Sequence, residues 1–479
     1  MMNFFSTVFN ESRTNRFYSN QIDFSFDEIK ELGGKFASYL SNQGLNRGSR
    51  VGILCFNSPI TVASILGCLI GGVTPVLLNW RLSSSEIQKI DEVYPFDFLI
   101  YDTSFLQLIQ VLEKKGVRCL SDEELGVELL IEDSVQQSQF KGDSICLMTS
   151  GTTGVPKLIE LKAAQFEFLC TRLNSFFSVL DPSANFLLLP PLYTIAGIGF
   201  LIFSLWKGSV VTLPNFYDKE DTGKMLRSQE DHVSHVFMVP SMIKDHEEDI
   251  LNSSLKHLHY GGAKVTHHKI LKLISEKGII LTQGYGLTET AGIISILSND
   301  DHVDVFNNKV NFFTGNVLKD LDVEVDQDGV LFVSGNNINF DDPVIKVKSK
   351  YKSGKWWLNT EDIVELSDNR ITVLDRSDDM IISKGTNIYP SEIEAALLLH
   401  EDIDDICCFG IDDEEYGQYS VACITSSKKE VNIDELKQWS TQYLASYKFP
   451  KKIKRVEFLP KNGSGKFDRK FLRENWLNK

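Results

Sequence analysis

The stretch "MTSGTTGVPKLIEL" gathers Thr149, Ser150, Gly151, Thr152, Thr153 and Gly154 ahead of Lys157. It has almost no apolar area to bury. Glycine raises the entropy cost of ordering and hydroxyls compete for backbone bonds, so it makes a poor helix or strand interior. Its flanks, "DSICLMTS" and "KLIELKAAQ", read as strands entering and leaving a loop. A glycine-rich loop between buried strands presents bare N–H groups and hydroxyls, and with one lysine it becomes an anion cradle, most often for phosphate. The usual nucleotide loop ends in Gly-Lys-Ser/Thr and opens a helix. Here Val155 and Pro156 precede the lysine, and Pro156 has no N–H to offer. A surface turn has the same composition.

Four further stretches could carry chemistry. "LTQGYGLTETAG", residues 281–292, follows a strand and leads into a helix start, so its loop faces the carboxyl end of a parallel sheet, where ligands bind. Tyr285 offers a flat face for a base, Thr288 a hydroxyl and Glu289 a carboxylate able to hold Mg²⁺. A helix cap with an aromatic beneath it would read the same way. "NTEDIVEL" places Asp362 at a strand entry, "LDRSDDMIISKGTNIYPSEIE" interleaves Asp375 to Asp379 between structured regions, and "KNGSGKFDRK" sets Lys466 in a Gly-Ser turn. Each alone could be an ordinary exposed loop.

The surrounding pattern must position these loops. From about 25 to 210, "FDEIKELGGKFASYLSNQG", "PITVASILGCLI" and "SSSEIQKIDEVY" read as helices between the strands "RVGILCF", "VTPVLLN" and "FDFLIYD". Strand and helix in strict turn predict a parallel sheet with right-handed crossovers. A second alternating set follows to about 300, with strands at "FLLLPP", "SVVTLP", "HVFMVP", "HLHYGGA" and "ILTQGYG". From about 303 to 374 helices give way to short strands, a compact β-barrel-like module. After Arg376 alternation resumes as a small α+β domain. The expected fold is α/β: a large N-terminal domain of two parallel-sheet subdomains plus the β module (1–374), a hinge (375–378) and a small mobile C-terminal domain (379–479).

With 479 residues the chain exceeds what one core can serve. A formal charge of −16 argues against nucleic acid as a partner. Eight cysteines without a C-x-x-C pair suit a reducing compartment, not a disulfide framework or zinc site. The beginning "MMNFFSTVFNESR" lacks a signal-peptide pattern, and Gly71, Gly72 and Pro75 divide the most apolar run, 58–78, so no membrane span and a cytoplasmic location are expected.

In this order and spanning about residues 25 to 470, the five stretches resemble the adenylate-forming superfamily of acyl- and aryl-CoA ligases, peptide-synthetase adenylation domains and luciferase. The resemblance implies that Thr149 to Gly154 and Lys157 grip the β- and γ-phosphates of ATP. It implies that Tyr285 stacks on adenine beside Gly262, Ala263 and Gly286, and that Thr288 contacts the α-phosphate. Glu289 would ligate Mg²⁺, and Asp362, helped by Arg376, would hold the ribose hydroxyls. Lys466 would bridge the attacking carboxylate and the α-phosphate, Asp378 would be the hinge, and Lys384 and Gly385 would line the thiol tunnel. The acyl pocket would lie among Tyr193, Thr194, Gly197, Gly261 and Gly284, with Gly197 and Gly199 leaving room for a chain. The family pattern is broken where Thr194 replaces a frequent His, where Glu361 replaces Gly, and in a short stretch from 336 to 355 that lacks a Gly-Tyr signature.

The expected activity is ATP-dependent acid–thiol ligation of an apolar aliphatic or aryl carboxylate, with ATP, Mg²⁺ and CoA. "LASYKFPKKI" and "NWRLSSSEI" lean toward acyl-CoA ligases, and the ten basic residues between Lys448 and Arg473 suit polyphosphate or CoA phosphate as well as a solvated face. "NFLLLPPLYTIAGIG" supplies no acid to pair a substrate ammonium. The alternatives are an enzyme that loads an acyl- or peptidyl-carrier protein, and a nucleotide sensor without catalysis. A monomer or homodimer is expected.

Overall fold

A computed structural model describes residues 4–11, 16–19, 22–131, 140–149, 156–176, 181–228, 232–263, 265, 268–383, 386–413, 416–428, 431–461 and 467–476. The local signals of the first subdomain act as their chemistry requires. Ser58 caps helix Pro59–Gly71 by accepting the Thr61 N–H, and Gly72 closes it in the left-handed region at φ 79°. Ser83 and Glu86 form a reciprocal capping box on helix Ser84–Val93. The apolar run 58–78 is thus a buried helix and the strand Thr74–Leu77. No helix among the described residues is long and apolar enough to cross a membrane.

Two sheets carry the large domain. The first runs, edge to edge, through Arg118–Ser121, Phe98–Tyr101, Arg50–Leu54, Thr74–Leu77, Ser144–Thr149 and Lys157–Lys162, parallel except for the last pair. The second has a parallel centre of Val210–Thr212, Asn185–Leu187, His235–Met238, His257–Gly261 and Ile280–Tyr285. The antiparallel strands of the β module are continuous with it, because Ser295–Leu297 pairs with both Ile280–Tyr285 and Gly315–Val317. One helix overlaps the start of the region expected to be all strands and another lies inside it. Asn299–Phe306 opens on the Ser298 cap, and Pro343–Val347 has Asp342 as N-cap and proline at the first turn.

The described residues before 25 are also built in. Helix Phe4–Glu11 buries Phe4, Phe5, Val8 and Phe9 in the largest core, and strands Arg16–Ser19 and Ile22–Ser25 extend the second sheet. Five strands among the described residues after 380 form a third sheet with its own apolar clusters on both faces. All eight cysteines are free thiols, and all but Cys119 are buried.

Candidate active site

Among the described residues, those of the predicted loops at 149–157, 281–292 and 361–376 come together along the carboxyl ends of the parallel strands. Thr149 and Lys157 face each other in register at the mouth of the antiparallel hairpin Ser144–Thr149/Lys157–Lys162. Ser150, Gly151, Thr152, Thr153 and Gly154, which join them, lie outside the described residues, as do Lys384, Gly385 and Lys466. Strand Lys157–Lys162 packs against the turn Thr288–Thr290, bringing the hairpin to Thr288 and Glu289. Asn337 ties that turn down, its Nδ2 donating to the Thr290 and Ile293 carbonyls, both at 3.0 Å.

Tyr285 ends strand Ile280–Tyr285, and its hydroxyl donates to Asp362 Oδ2 at 2.6 Å. Burial, and next the neighbouring Asp362 carboxylate, push the Tyr285 phenol well up, so it remains a donor. Asp362 is buried and lies opposite Arg376 in register on strands Lys355–Ser367 and Arg370–Arg376, with Arg376 Nη1 at 3.2 Å. Thr360 Oγ1 accepts the Asp362 N–H at 3.2 Å and donates to the Leu331 carbonyl at 2.8 Å, fixing the strand entry. Gly261 is in register with Gly284, so Gly262 and Ala263 emerge beside the Tyr285 turn.

Glu361 is held at φ 62°, a left-handed conformation that suits glycine. Its side chain has two cationic partners there, Arg376 Nη2 and Lys348 Nζ, both at 3.0 Å. Lys348 also stands 3.6 Å from the buried Glu289 carboxylate. One ammonium therefore bridges the carboxylate expected to hold Mg²⁺ and the residue that replaces a family glycine.

The acid side is more enclosed than expected. Thr194 is the N-cap of helix Ile195–Lys207: its hydroxyl donates to the Pro191 carbonyl at 2.7 Å and accepts the Gly197 N–H at 3.1 Å. A Cβ on Gly197 would stand 2.1 Å from the Pro191 carbonyl oxygen, and one on Gly199 would stand 2.8 Å from Leu169 Cδ2. The room expected at these two positions is taken by backbone and core. A Cβ on Gly261 would stand 2.4 Å from the Gly284 carbonyl oxygen, whereas one on Gly284 would face open space. Tyr193 is buried against Trp80, and desolvation pushes its phenol up to about 12. Asn57 locks this wall to the first subdomain, donating to Pro190 O at 3.2 Å and accepting the Leu192 N–H at 2.9 Å.

The family model described as AMP-binding enzyme matches residues 7–338, and that of the AMP-binding enzyme C-terminal domain matches residues 392–466. The chain belongs to the AMP-binding enzyme family. It is 28% identical to a 2-succinylbenzoate–CoA ligase of Geobacillus sp. (strain WCH70), covering 95% of this chain and 94% of that one. It is 29% identical to a 2-succinylbenzoate–CoA ligase of Bacillus cereus (strain ATCC 10987 / NRS 248), over 94% and 93% of the two chains. Its fold matches the o-succinylbenzoate CoA synthetase of Bacillus subtilis in complex with the acyl-adenylate intermediate OSB-AMP. That match has a TM-score of 0.84 and 25% identity over 100% of this chain and 98% of that one.

Within this AMP-binding enzyme, sequence reasoning found Tyr285, Glu289, Asp362 and Arg376, which the fold brings together. It missed Lys348, Asn337, Thr360 and Asn57. Lys348 is one of several closely spaced lysines, and only the end of helix Pro343–Val347 singles it out. The asparagines act on backbone far away in sequence and leave no local pattern. Asp378 is exposed in the turn after strand Arg370–Arg376, where the Asp379 and Met380 N–H groups fold back on the Arg376 carbonyl at 3.1 and 3.2 Å.

Proposed function

We propose that this AMP-binding enzyme activates one carboxylate of an aromatic keto diacid of the 2-succinylbenzoate kind and passes that acyl group to CoA. The chain is an AMP-forming acid–CoA ligase working with ATP, Mg²⁺ and CoA. The convergence of Tyr285, Asp362, Arg376 and Glu289 on one ridge of strand ends carries the nucleotide half of this reading. Asp362 offers a buried, anchored acceptor for ribose hydroxyls, with the Tyr285 ring beside it for adenine. Glu289 offers a buried carboxylate for Mg²⁺, which when bound would neutralise phosphate charge and would compete there with Lys348. The similarity to 2-succinylbenzoate–CoA ligases along nearly the whole chain supports the choice of acid.

In this reading a carboxylate oxygen of the acid attacks the α-phosphorus of ATP, the bond to the β-phosphate breaks and pyrophosphate leaves. Lys466, Thr288 and the loop of residues 149–154 with Lys157 stabilise the charge that develops. The small domain then turns about Asp378, bringing Lys384 and Gly385 to the thiol path. The CoA sulfur attacks the acyl carbon and AMP departs. Enclosing the site between the steps keeps water from the mixed anhydride. The acid enters over Gly284, with Tyr193 as one wall.

Pyrophosphate release measured with 2-succinylbenzoate, benzoate, aliphatic acids and free amino acids, each with and without CoA, tests this. The expected result is fastest turnover of 2-succinylbenzoate with a CoA thioester as product. Amino acids should be rejected more than about a thousandfold, because burying an unpaired ammonium costs several kcal/mol. Preference for an amino acid, or release with no thioester formed, overturns the reading.

A further inference from the structure

At the opposite end of the parallel strands, three histidines meet that the ligase chemistry does not use. His235 opens strand His235–Met238 and His257 opens strand His257–Gly261. The two are register partners, so they project from the same face of the sheet, and His259, two residues on, shares that face. All three are buried. The His235 ring lies 4.3 Å from that of His257 and 5.9 Å from that of His259, and one nitrogen from each residue falls within 4.8 Å of the others. His257 and the site glycine Gly261 are four residues apart on one extended strand, about 13 Å.

The hydrogen bonds here leave a lone pair stranded. Ser234 Oγ accepts the Asn185 N–H at 3.0 Å and donates to the Asn185 carbonyl at 3.2 Å. In the arrangement where the Ser234 proton goes to that carbonyl, His235 Nδ1, 2.9 Å away, is the donor to Ser234. His235 Nε2 then bears a lone pair, buried without a hydrogen-bond partner, and His257 Nδ1 is buried without one too. Buried polar atoms of this kind call for an explanation. Burial depresses the imidazoles, His235 to about 3 and His257 to about 4, so both rings are neutral at pH 7, the form that binds metal.

We propose that His235, His257 and His259 bind one divalent cation of the Zn²⁺ type. Two imidazoles at i and i+2 on one strand and a third on its neighbour make a three-nitrogen set with a fourth position free for water. Tetrahedral coordination with bonds of ~2.0–2.1 Å needs nitrogens roughly 3.4 Å apart with converging lone pairs, so binding requires the stacked rings to turn about χ2. Ser234 fixes the His235 tautomer and holds Nε2 toward the ion. A cleft of about 390 Å³, lined by Ser253, Lys256, His257, Lys277 and Gly278, opens at this edge and gives the ion a way in. Its two lysines are exposed, where water and salt screen them. The ion would clamp neighbouring strands and leave the ATP site untouched.

The test is titration of the EDTA-stripped full chain with Co²⁺ and then Zn²⁺, followed by calorimetry and the visible Co²⁺ spectrum. One ion per chain is expected, with tetrahedral nitrogen-ligated Co²⁺ bands that Zn²⁺ abolishes. His235→Gln and His257→Gln should each weaken binding at least about tenfold, and Ser234→Ala about ten- to hundredfold. Unchanged circular dichroism and adenylate formation show that each variant is folded. If a variant does not fold, the spectrum of the unaltered chain decides: tetrahedral bands support the site and octahedral, water-like bands refute it. Uptake well below one ion per chain, or binding that survives both histidine substitutions, overturns the proposal.

Discussion

Lys348 stands between Glu289 and Glu361 where a metal ion is proposed to bind, so the lysine and Mg²⁺ compete for one carboxylate. Lys348→Met should lower the Mg²⁺ concentration that gives half-maximal pyrophosphate release by about threefold, in line with the few tenths to one kcal/mol of a partly screened pair. A higher Mg²⁺ requirement would mean that Lys348 assists the metal. Lys466 is proposed to meet the reacting groups directly. Lys466→Ala should slow adenylate formation by about 10²–10³ or more while a supplied acyl-adenylate is still converted to thioester. Comparing the two half-reactions in single turnovers checks this, and near-normal adenylation would remove Lys466 from its role.

Between single residues and the whole lie the turns and helix ends that aim them. Helix Ile195–Lys207 starts hard against the Pro190–Pro191 turn, so Gly197→Ala should lower the thermal midpoint, overpacking of this kind costing about 1–3 kcal/mol. An unchanged melting curve would show that the turn yields. Asp378→Pro, in the turn after strand Arg370–Arg376, should spare adenylation and slow thioester formation, because proline fixes φ where the chain is proposed to rotate. Equal loss in both half-reactions would place the pivot elsewhere. Elements such as these were legible where a local signal exists: the serines that open "SSSEIQKIDEVY" announce its helix, and the glycines of 281–292 announce a strand-end loop. The antiparallel continuation of the second sheet was not, because pairing between Ser295–Leu297 and Gly315–Val317 is decided by edge partners rather than by local alternation. Asn57 was hidden for a similar reason, since its partners are more than a hundred residues distant.

For the molecule as a whole, buried His302 links folding to pH. Its Nδ1 donates to the Ser298 carbonyl at 2.6 Å, so Nε2 accepts the Tyr260 hydroxyl at 2.7 Å and the ring is neutral. Desolvation lowers its pKa to about 4, while an unfolded histidine titrates near 6.5. Below pH 6.5 the unfolded chain takes up a proton that the folded chain refuses. The stability present above that pH is therefore lost at up to about 1.4 kcal/mol per pH unit until about pH 4. The urea midpoint should fall between pH 7 and pH 5, and by less in His302→Gln; an identical fall in both proteins would exclude His302 as a source. The buried thiols bear on a different hazard. A mixed anhydride acylates whatever nucleophile it meets, and the enzyme generates it inside a chain containing eight sulfhydryls. Burial pushes every one of these up, away from the thiolate form, and none is tied up in a disulfide. Held as buried neutral thiols, they are poor competitors for the activated acyl carbon, which leaves the sulfur delivered from outside as the better nucleophile.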